Sequence, residues 1–271
     1  MQPVDLHIHT HLSPDGKGRM QEFYNRAKEE ELALICFTDH LDFEYGWDPV
    51  GLNAVIAHGK SEYQELETAS DTKALFGVEL AYQEEFEGEA KESIDSLKPD
   101  FVVGSVHEID GLGFSGRNVS KYFDKFGRNS FSKYFDVLSA FAEKGIFDVV
   151  GHFDIVKRNS KKCGYEFKTA EYKSIIRDIL KAIISRNKGI EVNTSGMRQL
   201  PEEPFPNMQV VEWFLEENGS ILTVGSDTHI PDLVGSGCDD VLDTLVDMGI
   251  SEISYFENRV EKKYNLTIEP D

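Results

Sequence analysis

The sequence predicts an α/β fold whose parallel strands close, or nearly close, into a barrel. Seven short apolar runs alternate with seven amphipathic patterns without a linker, a rhythm typical of βα units. The length of 271 residues suits one such barrel, which typically needs about 250. A doubly wound open sheet is the competing topology. The predicted strands span residues 4–9, 34–38, 74–80, 101–106, 148–153, 190–193 and 221–225.

The segments between these runs carry apolar residues at helical spacing, as Met20, Phe23 and Ala27 do in the first of them. Residues 108–129 form a long interval without a clear element, rich in glycine, serine and aromatic residues, and such loops are usually functional. From residue 253 onwards we expect a last strand or helix. The predicted helices span residues 18–31, 52–69, 84–97, 130–144, 169–187, 207–218 and 238–248.

The composition disfavours several classes of partner. The formal net charge of −21 repels the phosphate backbone of nucleic acids and anionic lipid surfaces. No apolar run approaches the ~18 residues of a spanning helix, and the first residues do not resemble a signal peptide. Cys36, Cys163 and Cys238 are few and far apart, which indicates free thiols. We therefore expect a cytoplasmic protein without a membrane or nucleic-acid partner; no pattern marks a subunit interface.

Side chains able to bind metal ions follow the predicted strands. His7 and His9 would point to one face of the first strand, where two imidazoles can grip one ion. Six of the eight histidines fall at strand ends, the exceptions being His11 and His58. Because the C-terminal ends of barrel strands form the face where active sites lie, we expect these groups to meet there.

The candidate ligands are too many for one ion, since a zinc site takes three or four protein ligands. They suit two or three ions, with a carboxylate such as Glu79 bridging a pair. Nitrogen and oxygen donors without thiolate favour Zn, Mn or Fe. Clustered ions stabilise an oxyanion and lower the pKa of a shared water, as hydrolysis of phosphate esters requires. The candidates are His7, His9, Asp15, His40, Glu79, His107, His152, Asp227 and His229.

Cationic and acidic residues near the strand ends are candidates for other roles. Arg198 and Arg158 follow the sixth and fifth strands, Arg117 lies in the long interval, and a guanidinium matches phosphate oxygens. Lys157 is expected to form a surface ion pair.

Three aspartates adjoin the candidate ligands. Asp154 could be a ligand, an orienter of His152 or a helix N-cap. Asp39 and Asp5 could hold ligand histidines in one tautomer, or be satisfied buried polar groups.

The order of these motifs resembles the PHP (polymerase and histidinol phosphatase) family, in particular its stand-alone L-histidinol-phosphate phosphatases. The resemblance runs from residue 5 to residue 229. It is carried by His7-Ile8-His9-Thr10, Thr38-Asp39-His40, Gly77-Val78-Glu79, Ser105-Val106-His107, Gly151-His152 and Ser226-Asp227-Thr228-His229.

The resemblance implies a distorted (β/α)7 TIM-like barrel, forming a single domain over residues 1–271 with its active site at the C-terminal ends of the strands. It also implies three divalent metal ions. The implied ligand sets are His7, His9, Glu79 and Asp227 for one ion, Glu79, His107 and His152 for a second, and Asp15, His40 and His229 for the third.

The implied activity is that of a histidinol-phosphatase of histidine biosynthesis, which hydrolyses the phosphate monoester L-histidinol phosphate to L-histidinol and phosphate. Arg198 would stabilise charge on the phosphoryl group, and Asp154 would relay a proton to the leaving alkoxide. Arg158, Arg117 and Phe114 would contact the substrate, whose imidazole or amino end the interval 108–129 would recognise.

Several alternatives stay open on the sequence. The chain could be a phosphoesterase of the same family acting on another small phosphorylated metabolite or a nucleotide, a nuclease, or a metal-binding protein without activity. An amidohydrolase-type barrel also begins with His-x-His. That class usually has a lysine at a middle strand end, where this chain has Glu79.

Overall fold

Seven parallel strands form the central sheet of the protein. The structure, a computed structural model, describes residues 2–43, 49–68, 71–114 and 119–266. The strands are β1 (Val4–Ile8), β2 (Leu34–Phe37), β3 (His40–Leu41), β4 (Lys73–Ala81), β5 (Phe101–Ser105), β8 (Val149–Val150), β9 (Gly189–Asn193) and β10 (Leu222–Gly225). The seven strands of the sheet follow the order β1-β2-β4-β5-β8-β9-β10, and the short strand β3 pairs with β4 beyond the end of β2.

Backbone hydrogen bonds between the described residues of the first and last strands close the sheet at one end. Beyond β1 and β10, Ile8 and Thr228 form a parallel bridge. His9 N donates to Thr228 O at 2.8 Å, and Asp227 N donates to His7 O at 2.8 Å. The closure therefore lies at the C-terminal ends of the strands, where the candidate ligands are. The prediction of a distorted seven-stranded barrel is confirmed, and the open doubly wound sheet is excluded.

Helices cover the outside of the barrel because their apolar residues recur at helical spacing and pack against the strands. Each of the seven predicted helices is present, with ends shifted by a few residues. Among the described helices, none combines the length and apolar character that crossing a bilayer requires. The helices are α1 (Met20–Glu29), α2 (Pro49–Gln64), α3 (Glu87–Leu97), α4 (Val119–Phe126), α5 (Ser130–Lys144), α6 (Lys173–Ser185), α7 (Met208–Glu216) and α8 (Cys238–Asp247).

The interval 108–129 is not the structureless loop that the sequence suggested. Its first part forms a hairpin of β6 (Glu108–Ile109) and β7 (Leu112–Gly113). Helix α4 and a 3₁₀ turn (Gly127–Asn129) follow. The apolar residues of α4 lie on one face and are buried or half-buried against the core, so its aromatic content serves packing. Arg117, predicted to contact substrate, lies outside the described residues.

A second hairpin, β11 (Glu252–Glu257) with β12 (Val260–Asn265), packs at the N-terminal ends of the strands and confirms the predicted last element as a strand. Phe256 stacks on Phe101 at 5.2 Å. Arg259 Nη2 donates to Asp148 Oδ1 at 2.8 Å, and its Nε contacts the other carboxylate oxygen. Lys188 Nζ lies 3.2 Å from the same Oδ1 atom. The ion pair between Arg259 and Asp148 fixes the hairpin beside the start of β8, at the end of the barrel away from the histidines.

Candidate metal centre

The polar residues at the strand ends converge on the C-terminal face of the barrel. The His9 ring lies at the middle, with its centroid 4.2 Å from those of His40 and His229. Alternation along β1 predicted that two histidines would share this face, and the barrel brings the other strand ends to it. The remaining candidates, His7, Asp15, Glu79, His107, His152 and Asp227, surround these three rings.

One group of donors consists of His7, His9, Glu79 and Asp227. The two histidine Nε2 atoms are 3.0 Å apart. Glu79 Oε2 lies 3.6 Å from His7 Nε2 and 3.5 Å from His9 Nε2. Asp227 Oδ1 lies 3.3 Å from His9 Nε2 and 3.9 Å from His7 Nε2. The donor atoms of His7, His9 and Glu79 lie within 4.8 Å of one another, and Asp227 adds an oxygen near both histidines, a donor set that suits a zinc ion.

Glu79 also faces a second group through its other oxygen. Glu79 Oε1 lies 2.7 Å from His152 Nε2 and 3.1 Å from His107 Nε2. It also accepts a hydrogen bond from Ser105 Oγ at 2.6 Å. Because its two oxygens serve different groups, Glu79 has the geometry of a carboxylate that bridges two ions.

The third group lies at the rim of the face. Asp15 Oδ1 is 3.6 Å from His40 Nε2 and 3.3 Å from His229 Nε2. The short strand β3 pairs His40 with Glu79 on β4, which brings this group against the other two. The Asp15 side chain is 66% exposed, so this group is open to solvent.

The carboxylate of Glu79, buried at the centre of the cluster, has an oxygen atom that a bound cation would pair. Glu79 Oε2 accepts no hydrogen bond from the described residues. His40 Nδ1 lies 2.9 Å from it. An unsatisfied buried oxygen carries a desolvation cost that a bound cation would remove. The donor set contains nitrogen and oxygen without sulfur, which suits Zn, Mn or Fe. These histidine and glutamate clusters are therefore able to bind metal ions.

Charges within the cluster shift the pKa values in opposite directions. Burial would raise the pKa of Glu79, but the imidazoles of His107 and His7 outweigh it and hold that pKa well below its usual range. Burial and the neighbouring His40 lower the pKa of His9 to about 3. Burial would also lower the pKa of His40, but the carboxylates of Asp42 and Glu79 raise it to about 9. Without ions, protons on some imidazoles therefore balance the buried carboxylates.

Two candidate ligands have a strained backbone. His152 has a φ of +23° and Asp227 a φ of +52°, a region that residues with a side chain rarely adopt. Such strain persists only where the surroundings hold it, and it concentrates at functional sites. The strain aims both side chains into the cluster from the ends of β8 and β10.

Neighbouring side chains orient the rings of the candidate ligands. These supporting side chains are not always the ones that the sequence indicated. His9 Nδ1 lies 3.1 Å from Ser13 Oγ, which donates to Asp39 Oδ1 at 2.6 Å. Asp39 thus supports a candidate ligand, His9, through a serine. Asp5 accepts hydrogen bonds from the amide and hydroxyl of Ser226, at 2.7 and 2.5 Å, so of its two predicted roles it has that of a satisfied buried polar group.

Two supporting carboxylates were missed by sequence reasoning. Glu191 Oε1 lies 2.6 Å from His7 Nδ1. Asp42 Oδ2 lies 2.9 Å from His107 Nδ1. A glutamate inside the apolar run of β9 was a usable signal, because an acidic side chain is seldom buried without a partner. Asp42 gave no comparable signal, since it follows a strand where polar residues are ordinary.

The arginines near the face differ in their contacts. The Arg198 guanidinium donates from Nη2 to Ser226 O at 2.6 Å and from Nη1 to Ser236 O at 3.0 Å. It is therefore anchored beside the turn that carries Asp227. Arg158 is half-buried and follows a 3₁₀ turn after β8.

Asp154 forms a buried ion pair with Lys157, which corrects the expectation that this lysine lies on the surface. Lys157 is 6% exposed, and its Nζ lies 2.8 Å from Asp154 Oδ2 and 2.9 Å from Glu203 Oε1. Burial raises the pKa of Asp154 despite the lysine. Asp154 occupies the N-cap position of the 3₁₀ turn without a capping hydrogen bond from its side chain. Its proton relay stays a prediction.

Phe114 does not have the position expected of a substrate contact. Its side chain is 2% exposed and packs edge-on against Tyr122 at 4.8 Å and Tyr134 at 5.2 Å. These rings belong to the core beneath the hairpin β6–β7. The expectation that Phe114 recognises the substrate is wrong, because its apolar ring is enclosed by other aromatic side chains.

The fold and the clustered donors define a barrel protein with groups able to bind metal ions, and comparison with known proteins identifies its family. The model of the PHP domain matches residues 5–195, so the chain belongs to the PHP family, as its motifs predicted. A histidinol-phosphatase of Lactococcus lactis is 30% identical over 236 residues, which cover 85% of each chain. A probable histidinol-phosphatase of Clostridium acetobutylicum is 28% identical over 260 residues, covering 95% of this chain and 98% of the relative.

A solved structure has the same fold. It is that of histidinol phosphate phosphatase from Lactococcus lactis in complex with zinc, L-histidinol and phosphate. The two folds superpose with a TM-score of 0.80 at 23% sequence identity, over 96% of this chain and 99% of the other. The barrel described above is therefore the fold of that phosphatase.

Proposed function

We propose that the chain is a histidinol-phosphatase, a phosphoric monoester hydrolase that converts L-histidinol phosphate and water into L-histidinol and phosphate. The observation that carries this proposal is the convergence of six histidines on the Glu79 carboxylate and its neighbours. Relatives that align over most of the chain bear the same name. A small phosphate ester is a suitable partner for a site that combines metal ligands with nearby arginines.

We further propose that the centre holds three divalent ions, each Zn, Mn or Fe. His7, His9, Glu79 and Asp227 would hold one ion; Glu79, His107 and His152 a second; and Asp15, His40 and His229 the third. The distances between donor atoms support these sets. The donor atoms of His7, His9 and Glu79 lie within 4.8 Å of one another, as do those of Glu79, His107 and His152 and those of His9, His40 and His229. The relative from Lactococcus lactis was solved with zinc. The three free cysteines support a location in the cytoplasm.

Each part of the site would contribute separately to the reaction. When bound, divalent ions stabilise negative charge on phosphoryl oxygens and supply a nucleophile from water at neutral pH. Glu79, which is buried, and Asp227, whose side chain is 8% exposed, balance the charge of the centre. Arg198, fixed by two backbone carbonyls, and Arg158 would bind phosphoryl oxygens. Arg117 would be a further contact, and Asp154 would provide the proton for the leaving alkoxide.

The test is a phosphate-release assay on L-histidinol phosphate, with the metal content of the same sample measured. We expect kcat/KM in the ordinary enzyme range of about 10⁴ to 10⁸ M⁻¹s⁻¹ and complete loss of turnover after chelation. A panel of sugar, nucleotide and amino-alcohol phosphates provides the comparison. A higher kcat/KM on another ester would replace the substrate, and full activity without metal would refute the mechanism.

A further inference from the structure

Glu191 lies on β9 and contacts two candidate ligands from different groups. Its Oε1 atom is 2.6 Å from His7 Nδ1. Its Oε2 atom accepts hydrogen bonds from His152 N at 2.9 Å and from Asn193 Nδ2 at 3.0 Å. We propose that Glu191 is a positioning residue that holds one ligand of each of two metal ions, and so makes their affinities depend on one carboxylate. The inference rests on the proposed metal-dependent function.

The contact with His7 determines which nitrogen can bind an ion. A carboxylate is only an acceptor, so Glu191 favours the tautomer with the proton on Nδ1 of the ring. The Nε2 atom then has a free lone pair, and it is this atom that lies 3.0 Å from His9 Nε2. The negative charge behind the ring also makes it a stronger donor toward a metal.

The contact with His152 acts on the backbone. The Nδ1 atom of this ring has no hydrogen-bond partner among the described residues, so its orientation is not fixed from behind as that of His7 is. Its backbone has the strained φ of +23°. Glu191 accepts the N–H of this residue, which stabilises the turn that directs Nε2 toward Glu79 Oε1 at 2.7 Å.

The neighbouring strands leave room for this carboxylate. A Cβ atom at Gly225 on β10 would lie 2.8 Å from Glu191 Oε1 and 2.4 Å from the Cβ of His7. A Cβ atom at Gly151 would lie 3.4 Å from Glu191 Oε2 and 2.6 Å from Val103 Cγ1. Burying a carboxylate costs free energy unless its partners compensate. Gly151 and Gly225 therefore accommodate the Glu191 carboxylate. Among the described residues, its hydrogen-bond partners are His7, His152 and Asn193, the last on its own strand.

The experiment compares Glu191→Gln with Asp148→Asn. Glutamine keeps the size of the side chain but removes the charge. Its NH₂ group is only a donor, so the side chain can no longer accept from the ring with one atom and from the amide with the other. Asp148 is a matched control, because it is a buried carboxylate, 1% exposed, bound to Arg259 at the other end of the barrel. Co²⁺ is titrated into each ion-free protein and followed by its visible absorption.

We expect Glu191→Gln to weaken two of the bound Co²⁺ equivalents together, by about 10- to 100-fold, the usual effect of removing such a support. Asp148→Asn should lower the Tm and leave Co²⁺ binding unchanged. Wild-type Co²⁺ affinities in Glu191→Gln, or weakening of one equivalent alone, would overturn the inference.

A second measurement needs no variant and covers the case in which Glu191→Gln does not fold. In wild-type protein loaded with Zn²⁺, histidine ¹⁵N shifts should show His7 protonated at Nδ1. A proton on Nε2 would overturn the inference. Ion binding as expected without turnover of L-histidinol phosphate would refute only the proposed function, whereas a wild-type chain that binds no ion would refute both.

Discussion

The Nε2 atoms of His7 and His9 lie 3.0 Å apart, close to the ~3.3 Å that separates two nitrogen ligands held at about 2.0–2.1 Å by a tetrahedral ion. His9→Ala removes one of these donors. Since a catalytic ion contributes several kcal/mol of charge stabilisation, we expect kcat/KM to fall about 10³-fold or more, with a lower metal content.

His58→Ala is the control for that substitution. His58 lies exposed on α2, so the same chemical change there should leave phosphate release and metal content at wild-type values. A His9→Ala protein as active as the His58→Ala protein would contradict the assignment of His9 as a ligand.

The ion-free and ion-loaded proteins should respond to pH in opposite directions. His40 has a pKa of about 9 in the folded chain without ions, against about 6.5 when unfolded. A raised histidine pKa contributes stability that is complete below about pH 6.5 and is lost as the pH rises through about 9. Ion binding requires deprotonated imidazoles, so it strengthens over the same interval.

Thermal unfolding at pH 6.5, 7.5 and 9, with chelator or with excess Mn²⁺, measures both trends. The Tm should fall with pH in chelator, and the stabilisation by Mn²⁺ should grow. His40→Gln should flatten the curve obtained in chelator. An ion-free protein that gains stability between pH 6.5 and 9 would refute this account of the cluster.

The metal content of alanine variants should distinguish the role of Arg198 from that of Arg158. Arg198→Ala removes the hydrogen bonds to Ser226 O and Ser236 O beside Asp227, so we expect both metal content and kcat/KM to fall. Arg158→Ala should lower kcat/KM by about 10- to 100-fold, the value of one charge-assisted hydrogen bond, with metal content unchanged.

Lys161→Ala, which removes an exposed cation near Arg158, serves as the control for general electrostatics. Steady-state kinetics and metal analysis of the three variants test the distinction. Equal metal content in Arg198→Ala and wild type would show that the guanidinium does not support the Asp227 turn.

Arg259→Ala should destabilise the protein without changing its metal content. Loss of a partner from a buried ion pair costs about 3–5 kcal/mol, and here Lys188 still faces Asp148, so we expect about 2–3 kcal/mol. Urea unfolding measures this difference, with the exposed Lys262→Ala on the same hairpin as the control. Unchanged stability would mean that the hairpin is held by its apolar contacts alone.

The strands and their polar ends could be predicted from the sequence because both signals are local. Buried parallel strands appear as short apolar runs, and an imidazole at the end of such a run is conspicuous. The sequence alone could therefore predict that His7, His107 and His152 lie on one face. Their assignment to particular ions came from the resemblance to a family and is still a proposal.

The supporting contacts could not be predicted, because they join residues far apart in sequence. Glu191 contacts His7 across the closed seam of the barrel, and a periodic sequence pattern gives no information about which distant residues meet there. For Phe114 the sequence predicted a functional contact that the structure does not show. Its glycine-rich surroundings indicated a surface loop, but the aromatic residues of α4 and α5 enclose the ring.

The seam between β1 and β10 is held by backbone hydrogen bonds of His7, His9, Asp227 and Thr228. Three of these four residues are proposed ligands, so ions would tie the first barrel strand to the last. Because proteases degrade chains that open, a shortage of divalent ions should shorten the half-life of the protein in cells. The abundance of the enzyme, and not only its activity, would then follow the metal supply.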